Sequence, residues 1–330
     1  MTTLPPFKVA LIGECMVELR ESADGILTRG FGGDTFNTAA YMARLGRALG
    51  PFVDYVSAVG DDPFSAEMLA FFRQNGVETR HVQVRPGLRP GLYFISVDKQ
   101  GERRFTYWRG EAAARETFEG VDSDALLAAL GGYDLVYVSG ISLAVLRPDS
   151  RERLLQRLEA IGDQGVRIAF DCNHRPVLWP SVETARAAWQ RMFQIANYVL
   201  ATTEELEILG LGGPQAAIQH LAARPGLELV VKDGEAPCTI ASKGRIHRVP
   251  ADKVCNVVDT TAAGDSFSAA YLLGRLLGLD EQQSARRAHA LAAAVISHRG
   301  AIIPLDGTPM VFQDQIEVRR TSQVNFSPLM

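Results

Sequence analysis

The sequence predicts an α/β fold, a parallel sheet covered by helices on both faces with a smaller sheet outside that layer. Two observations carry this. Short runs rich in Val, Ile and Leu, such as FKVALIG (7–13) and RIAFDCN (167–173), alternate with segments whose apolar residues recur every three or four positions. Near-continuous apolar strands are those buried on both faces, and the helices between them supply the crossovers that parallel pairing needs. The second observation is a break in that rhythm at 90–109, where LYFISVDKQGERRFTYWR reads as two strands around a DKQG turn.

The elements follow in order. The strand at 7–13 ends in glycine and leads to a helix near 36–47. A strand at 53–60 precedes a helix at 63–76, which stops at a glycine. Next come a strand at 134–140, a helix near 148–164, the strand at 167–173 and a long helix near 181–194. A strand at 198–202, a helix at 203–209 and a strand at 227–234 continue the alternation. VVDT (257–260) reads as a further apolar strand, and helices at 265–277 and 281–297 close the pattern. Prolines and weaker periodicity after Pro304 predict a packed or partly ordered tail.

The chain has 330 residues, with 34 Lys and Arg against 38 Asp and Glu, so its net charge is −4; 47% of it is hydrophobic. That composition supplies a core and excludes a wholly disordered chain. With no basic excess, a nucleic-acid partner is not expected. No apolar run reaches the roughly 18 residues of a membrane span, so no membrane partner is expected. The start, MTTLPPFKVALIGE, lacks the basic lead and long apolar core of a secretory signal, and a cytoplasmic protein fits. Cys15, Cys172, Cys238 and Cys255 form no CxxC pair and read as buried thiols; with the scattered histidines they give no metal-ligand cluster.

Several segments suit chemistry. In VVDTTAAGDSF (257–267) the small-residue turn Thr260–Gly264 leads into a helical pattern from Asp265. Unpaired N–H groups at such a start suit a phosphate or a developing negative charge. Simple capping by Asp265 or a nearby Thr competes with that reading. In GFGGDTFN (30–37), Gly32 and Gly33 let a polar ligand reach the chain, while Asp34 and Asn37 suit hydroxyl groups. A tight turn capped by Asp34 or Thr35 competes there. Walker A and GxGxxG motifs are absent.

Tyr107 and Arg109, two apart in FTYWR, share a strand face, and Tyr93 lies on the facing strand. The Arg109 fork suits a carboxylate, with a salt bridge as the alternative. Trp108 has the opposite parity and is assigned to packing. Asp171, Asn173 and Arg175 alternate at a strand end, where α/β proteins bind ligands. Arg175 suits a substrate acid, a phosphate or a structural ion pair, and His174 reads as structural. In VVKDG (230–234), Lys232 suits a nucleotide phosphate or solvent, and Gly234 forms the turn.

Together these motifs resemble the PfkB, or ribokinase-like, carbohydrate kinases, most closely the bacterial kinases of 2-keto-3-deoxygluconate. The likeness rests on IGECMVEL (12–19), GGDTFN (32–37), PGLYFI (90–95), GERRFTYWR (101–109), SGISLAVL (139–146), FDCNHRPVLW (170–179), VVKDG, DTTAAGDSF and HRGAIIP (298–304). It implies a ribokinase-like three-layer α/β/α fold with a small β-sheet lid. The kinase domain would cover 7–310, with lid elements near 14–34 and 90–110, and a C-terminal tail at 311–330.

The resemblance implies Asp265 as catalytic base and Ala262, Ala263 and Gly264 as the anion-hole turn. The expected substrate contacts are Gly33, Asp34, Asn37, Tyr93, Tyr107, Arg109, Arg175 and Asp265. The expected nucleotide contacts are Asn173, Arg175, Lys232 and Gly234, with no dedicated protein ligands for a metal. The implied cofactors are ATP and Mg²⁺, and a monovalent cation such as K⁺ near the Asp259 turn is left open. A homo-oligomer is implied. The implied reaction moves the γ-phosphoryl group of ATP to the C6 hydroxyl of 2-keto-3-deoxygluconate. Two departures stand out. Ala262 replaces a glycine of the wider signature, which is harmless provided the turn does not demand positive φ. His174 stands where related enzymes often have tyrosine.

Overall fold

The structure is a computed structural model that describes residues 7–21, 25–50, 52–97 and 103–317. Its first third contains β1 (Lys8–Ile12), β2 (Met16–Glu21), β3 (Leu27–Gly32), α1 (Asp34–Gly46), β4 (Phe52–Val59), α2 (Pro63–Gln74), β5 (Glu78–Val84), β6 (Leu92–Val97) and β7 (Arg103–Trp108). The middle holds α3 (Ser123–Ala129), β8 (Leu135–Ser139), α4 (Gly140–Val145), α5 (Pro148–Asp163), β9 (Arg167–Asp171), α6 (Val182–Ile195), β10 (Tyr198–Thr202), α7 (Thr203–Ile208) and α8 (Pro214–Ala222). The chain continues through β11 (Glu228–Lys232), β12 (Cys238–Ser242), β13 (Arg245–Val249), α9 (Ala263–Leu276) and α10 (Glu281–Ile296).

Among the described residues the strands form a nine-stranded sheet, order β13-β12-β11-β10-β9-β8-β1-β4-β5, and a four-stranded sheet, order β3-β2-β6-β7. Pairing from β11 through β5 is parallel. The hairpin β12–β13 adds an antiparallel edge that the sequence reading did not contain. Strand parity divides the core. Val9, Leu11, Tyr137, Leu200 and Val230 pack with Phe36, Tyr41, Phe72, Phe267 and Leu291. Their neighbours Ala10, Ile12, Val138, Val199 and Val231 pack with Leu154, Leu158, Trp189 and Met192. Period-2 alternation therefore gives one sheet two dry faces. Helices α1, α2, α9 and α10 cover one, and α5 and α6 the other, making three layers.

The parallel strands β1, β8, β9, β10 and β11 end on the same edge, which delivers residues 13–15, 139–141, 171–175, 202–205 and 232–234 to one region. The small sheet pairs β2 with β3 and β6 with β7 antiparallel, and β2 with β6 parallel. Tyr93 stands directly opposite Tyr107. The expected DKQG turn lies outside the described residues.

The structure departs from the sequence reading in four places. VVDT is not a strand: the Val258 and Asp259 N–H groups donate to the Ile296 carbonyl at 2.8 and 3.1 Å, so the segment is tied to the end of α10 instead of a sheet. The last two helices flank that connection, and α9 starts two residues earlier than expected, at Ala263. Trp108 is 59% exposed and does not pack into the core. Cys255 is exposed, whereas Cys15, Cys172 and Cys238 are buried and free. Beyond α10, Phe312 and Ile316 pack into the α1 side of the core and Asp314 pairs with Arg287 at 2.6 Å. The rest of the tail, from 318, lies outside the described residues. No described helix is long and apolar enough to cross a membrane.

Phe36 anchors the helix that carries Asp34 and Asn37. It is fully buried, its ring centroid 4.3 Å from that of Phe72 and 5.6 Å from that of Tyr55. Phe36→Ala should lower unfolding free energy by about 3–5 kcal/mol. Urea unfolding with an unchanged slope would read this out. A loss of under about 1 kcal/mol would mean that α1 is held some other way.

Candidate active site

A cleft of about 1260 Å³ opens at the strand-end edge and runs to the small sheet. The contact residues implied by the resemblance line it, Gly33, Asp34, Asn37, Tyr93, Tyr107, Arg109, Asn173, Arg175, Lys232, Gly234, Ala262, Ala263, Gly264 and Asp265, whereas Gly32 does not.

Asp265 lies in the first turn of α9. Its carboxylate is not spent on capping. Asn37 Nδ2 donates to Oδ2 at 2.8 Å, and no side chain caps this helix. Thr38 Oγ1 donates to the Asp265 carbonyl at 3.2 Å, locking α1 to α9. Burial, and then the charge of Asp34, push Asp265 up to about 7, against the opposing pull of Asn37 and Lys232. The condition set for Ala262 is not met. This residue has φ 62° and ψ 15°, a left-handed conformation that disfavours a side chain bearing Cβ. Asn173, with φ 30°, is also on the positive side.

Two further carboxylates surround Asp265. Asp34 accepts from Asn173 Nδ2 at 2.9 Å, and burial raises its pKa. Asp171 accepts from Lys232 Nζ at 2.7 Å and from Ser268 Oγ at 2.9 Å. Burial opposes the charge on Lys232, but Asp171 and Glu205 outweigh it and raise its pKa. Lys232 is therefore not a free solvated lysine: its ammonium is engaged by Asp171 while the residue lines the cleft. Gly264 leaves room for it, since a Cβ there would stand 3.4 Å from Nζ. Gly234 turns with φ 57°.

At the other end, the rings of Tyr93 and Tyr107 lie 6.0 Å apart, and the Arg109 guanidinium sits 5.9 Å from the Tyr107 centroid. The expected shared face of Tyr107 and Arg109 is thus realised. Arg109 is also ion-paired with Glu14, a partner the sequence reading did not supply. The Tyr93 hydroxyl donates to Glu18, and burial raises its pKa. Arg175 is exposed in the cleft. It donates to the His174 carbonyl at 2.8 Å and has no acidic partner among the described residues. His174 packs edge-on against Trp189 at 5.3 Å, as a structural residue would, and its N–H donates to Glu205 at 2.6 Å. Asp259, where a cation was left open, accepts from the Thr261 and Gly300 N–H groups at 2.9 Å each and lies 3.7 Å from Arg20.

Glu14, Glu204 and Glu205 also line the cleft. Glu14 carried a signal, a charged residue directly after an apolar strand. Glu205 carried another, the T-x-x-E capping box formed with Thr202.

Residues 7–307 match the pfkB family of carbohydrate kinases. The chain is 44% identical over 306 residues to a 2-dehydro-3-deoxygluconokinase of Dickeya dadantii, covering 91% of this chain and 98% of that protein. It is 31% identical over 270 residues to a fructokinase of Klebsiella pneumoniae, covering 81% and 84%. The crystal structure of a 2-dehydro-3-deoxygluconokinase from Thermotoga maritima superposes with a TM-score of 0.79 at 22% identity, covering 91% of this chain and 95% of that one. A ribokinase II of E. coli, solved with ATP and Mg²⁺, gives 0.79 at 24% identity, with 95% and 99% covered. Those two likenesses establish the fold.

The left-handed Ala262 generates a prediction. Ala262→Gly removes the Cβ from a strained position and should stabilise the protein by roughly 1 kcal/mol. Thermal and urea melting would detect it. Destabilisation would mean that the Ala262 methyl makes packing contacts worth more than the strain.

Proposed function

The chain belongs to the pfkB family of carbohydrate kinases, and from that premise we propose that it transfers the γ-phosphoryl group of ATP to the C6 hydroxyl of 2-keto-3-deoxy-D-gluconate. The products are ADP and 2-keto-3-deoxy-6-phospho-D-gluconate. One observation carries the reading: a single cleft holds Asp265, raised to about 7 beside an uncapped helix start, together with the cationic Arg109 end. A substrate carboxylate would give Arg109, which lines the cleft beside its Glu14 partner, a second anionic contact. The 36–44% identity to proteins named 2-dehydro-3-deoxygluconokinase supports the same substrate.

In this mechanism Asp265 orients the C6 hydroxyl and takes its proton as the oxygen bonds to the γ-phosphorus and the bond to ADP breaks. The backbone N–H groups at 262–265 oppose charge growth on the phosphoryl oxygens. Arg175 adds an exposed cation to the same cleft. Asn37 fixes the base, and Asn173 fixes Asp34 beside it. Lys232 fixes the Asp171 carboxylate through their 2.7 Å contact. Glu204 is an exposed carboxylate of the cleft wall, a hard oxygen donor that fits a nucleotide-borne Mg²⁺ keeping most of its phosphate and water ligands. Mg²⁺, when bound, neutralises phosphate charge. The described strands of the lid elements near 14–34 and 90–110, β2, β3, β6 and β7, serve as a lid on the kinase domain (7–310), carrying Tyr107 and Arg109 over the acid end of the substrate and limiting attack by water. Trp108, exposed and opposite in parity to Tyr107, supports homo-oligomerisation through this sheet.

Purified protein should phosphorylate 2-keto-3-deoxygluconate in preference to gluconate, fructose, glucose and ribose, with the phosphate placed on C6 by product NMR. Preferred turnover of a neutral sugar would overturn the substrate. The base has to be ionised, so kcat/KM should rise with pH through about 7, the value to which Asp265 is raised. Asp265→Asn should lose that limb and 10²–10⁴-fold of the rate, on the rough scale of general-base loss. A folded D265N with wild-type turnover would remove Asp265 as the base.

A further inference from the structure

Three separated motifs, GECM at 13–16, GGDT at 32–35 and PGLYF at 90–94, meet at one residue, Glu14: Gly33 approaches its backbone and Gly91 its carboxylate. Its carboxylate is 1% exposed and pairs through Oε2 with Nη2 of Arg109, whose side chain is 11% exposed. Burial raises the Glu14 pKa, and Arg109 opposes that rise. Glu14 is thus the buried member of the pair and Arg109 the member that reaches the cleft. The contact uses part of each group: Glu14 Oε1 and Arg109 Nε are both buried without a partner.

The glycines around Glu14 are explained by space. Gly33 has φ 177°, extended backbone open to any residue, yet a Cβ there would stand 2.1 Å from the Glu14 carbonyl oxygen. A Cβ on Gly91 would stand 2.7 Å from Glu14 Oε1 and 3.2 Å from the Arg109 Cβ. Neither glycine is required by a turn. Gly33 leaves room for the Glu14 backbone, and Gly91 for the Glu14 carboxylate and its contact with Arg109.

We propose that Glu14 is a positioning residue that fixes the Arg109 guanidinium, so that its cleft-facing edge is ordered before an anionic substrate group arrives. This rests on the sugar-acid reading above and deepens it. An arginine on a flexible stem must be ordered when it binds a carboxylate, and ordering it beforehand removes that cost from binding. The pair also crosses between layers, since Glu14 follows β1 of the large sheet and Arg109 follows β7 of the small one. It therefore fixes the small sheet's end at the distance at which the acid group is read. A competing role, in which Glu14 occupies the site of the substrate carboxylate, predicts the opposite outcome, a lower KM for the acid when Glu14 loses its charge.

The test is a double-mutant cycle between Glu14→Gln and Arg109→Lys, measured with 2-keto-3-deoxygluconate and with its neutral C1 amide. E14Q should raise KM for the acid by roughly tenfold, within the coupling range of contacting charges. Its kcat, its KM for ATP and its use of the amide should stay near wild type. E14Q/R109K should be no worse on the acid than R109K alone. Gly91→Ala, which displaces Glu14 without altering its charge, should reproduce the selective KM effect, and it decides the matter if E14Q does not fold. A lower KM for the acid in E14Q, equal losses on both substrates, or additive losses in the double variant would overturn the proposal. A wild type that does not prefer the acid overturns the substrate reading and this one with it. A wild type that prefers the acid, with E14Q and G91A unaffected, overturns Glu14 alone.

Discussion

Asp265 is held between two opposing demands. Burial and the neighbouring charge of Asp34 push its proton affinity up, while the Asn37 amide and the Lys232 ammonium pull it down. The balance leaves a carboxylate near 7, able to take a proton and return it under neutral conditions. Much of the surrounding structure maintains that balance. Asn37 reaches Asp265 because Thr38 bonds to the Asp265 backbone and Phe36 anchors α1 in the core. Lys232 stays charged because Asp171 and Glu205 outweigh its burial, and Asp171 ties it to Ser268 of α9.

The layered architecture brings these groups together at low cost. Parallel strands release their chains on one edge, so residues far apart in sequence arrive side by side with strand geometry fixing each. The small sheet supplies the other wall from segments on either side of α1, β4, α2 and β5. Of the described non-glycine residues with positive φ, Ala262 and Asn173 lie in the cleft, while Phe118 and Lys243 lie outside it. Membership of the pfkB family accounts for the overall plan.

Much of this was legible in the sequence. β1, β8, β9, β10 and β11 were readable because burial on both faces leaves unbroken apolar runs. β2 and β3 were not read as strands from their own pattern: MVELRE and LTRGFG mix charge with apolar residues, since the small sheet is only partly buried. The motifs pointed to the site through their joint resemblance to a family, because each turn taken alone reads equally as a capped helix start. Pairings between distant segments were not legible. Glu14 with Arg109, 95 residues apart, and Lys232 with Asp171, 61 apart, depend on the sheet order. The left-handed Ala262 was invisible because alanine gives no sign of positive φ.

The central claim, that burial and Asp34 hold Asp265 as a weak acid near neutrality, is tested most directly by following its side-chain carboxyl carbon by ¹³C NMR across pH. The account predicts a midpoint near 7 in the wild type and a lower midpoint in Asp34→Asn, where the neighbouring charge is gone. A wild-type midpoint near the ordinary aspartate value of about 3.9, or one that Asp34→Asn leaves unmoved, would contradict it.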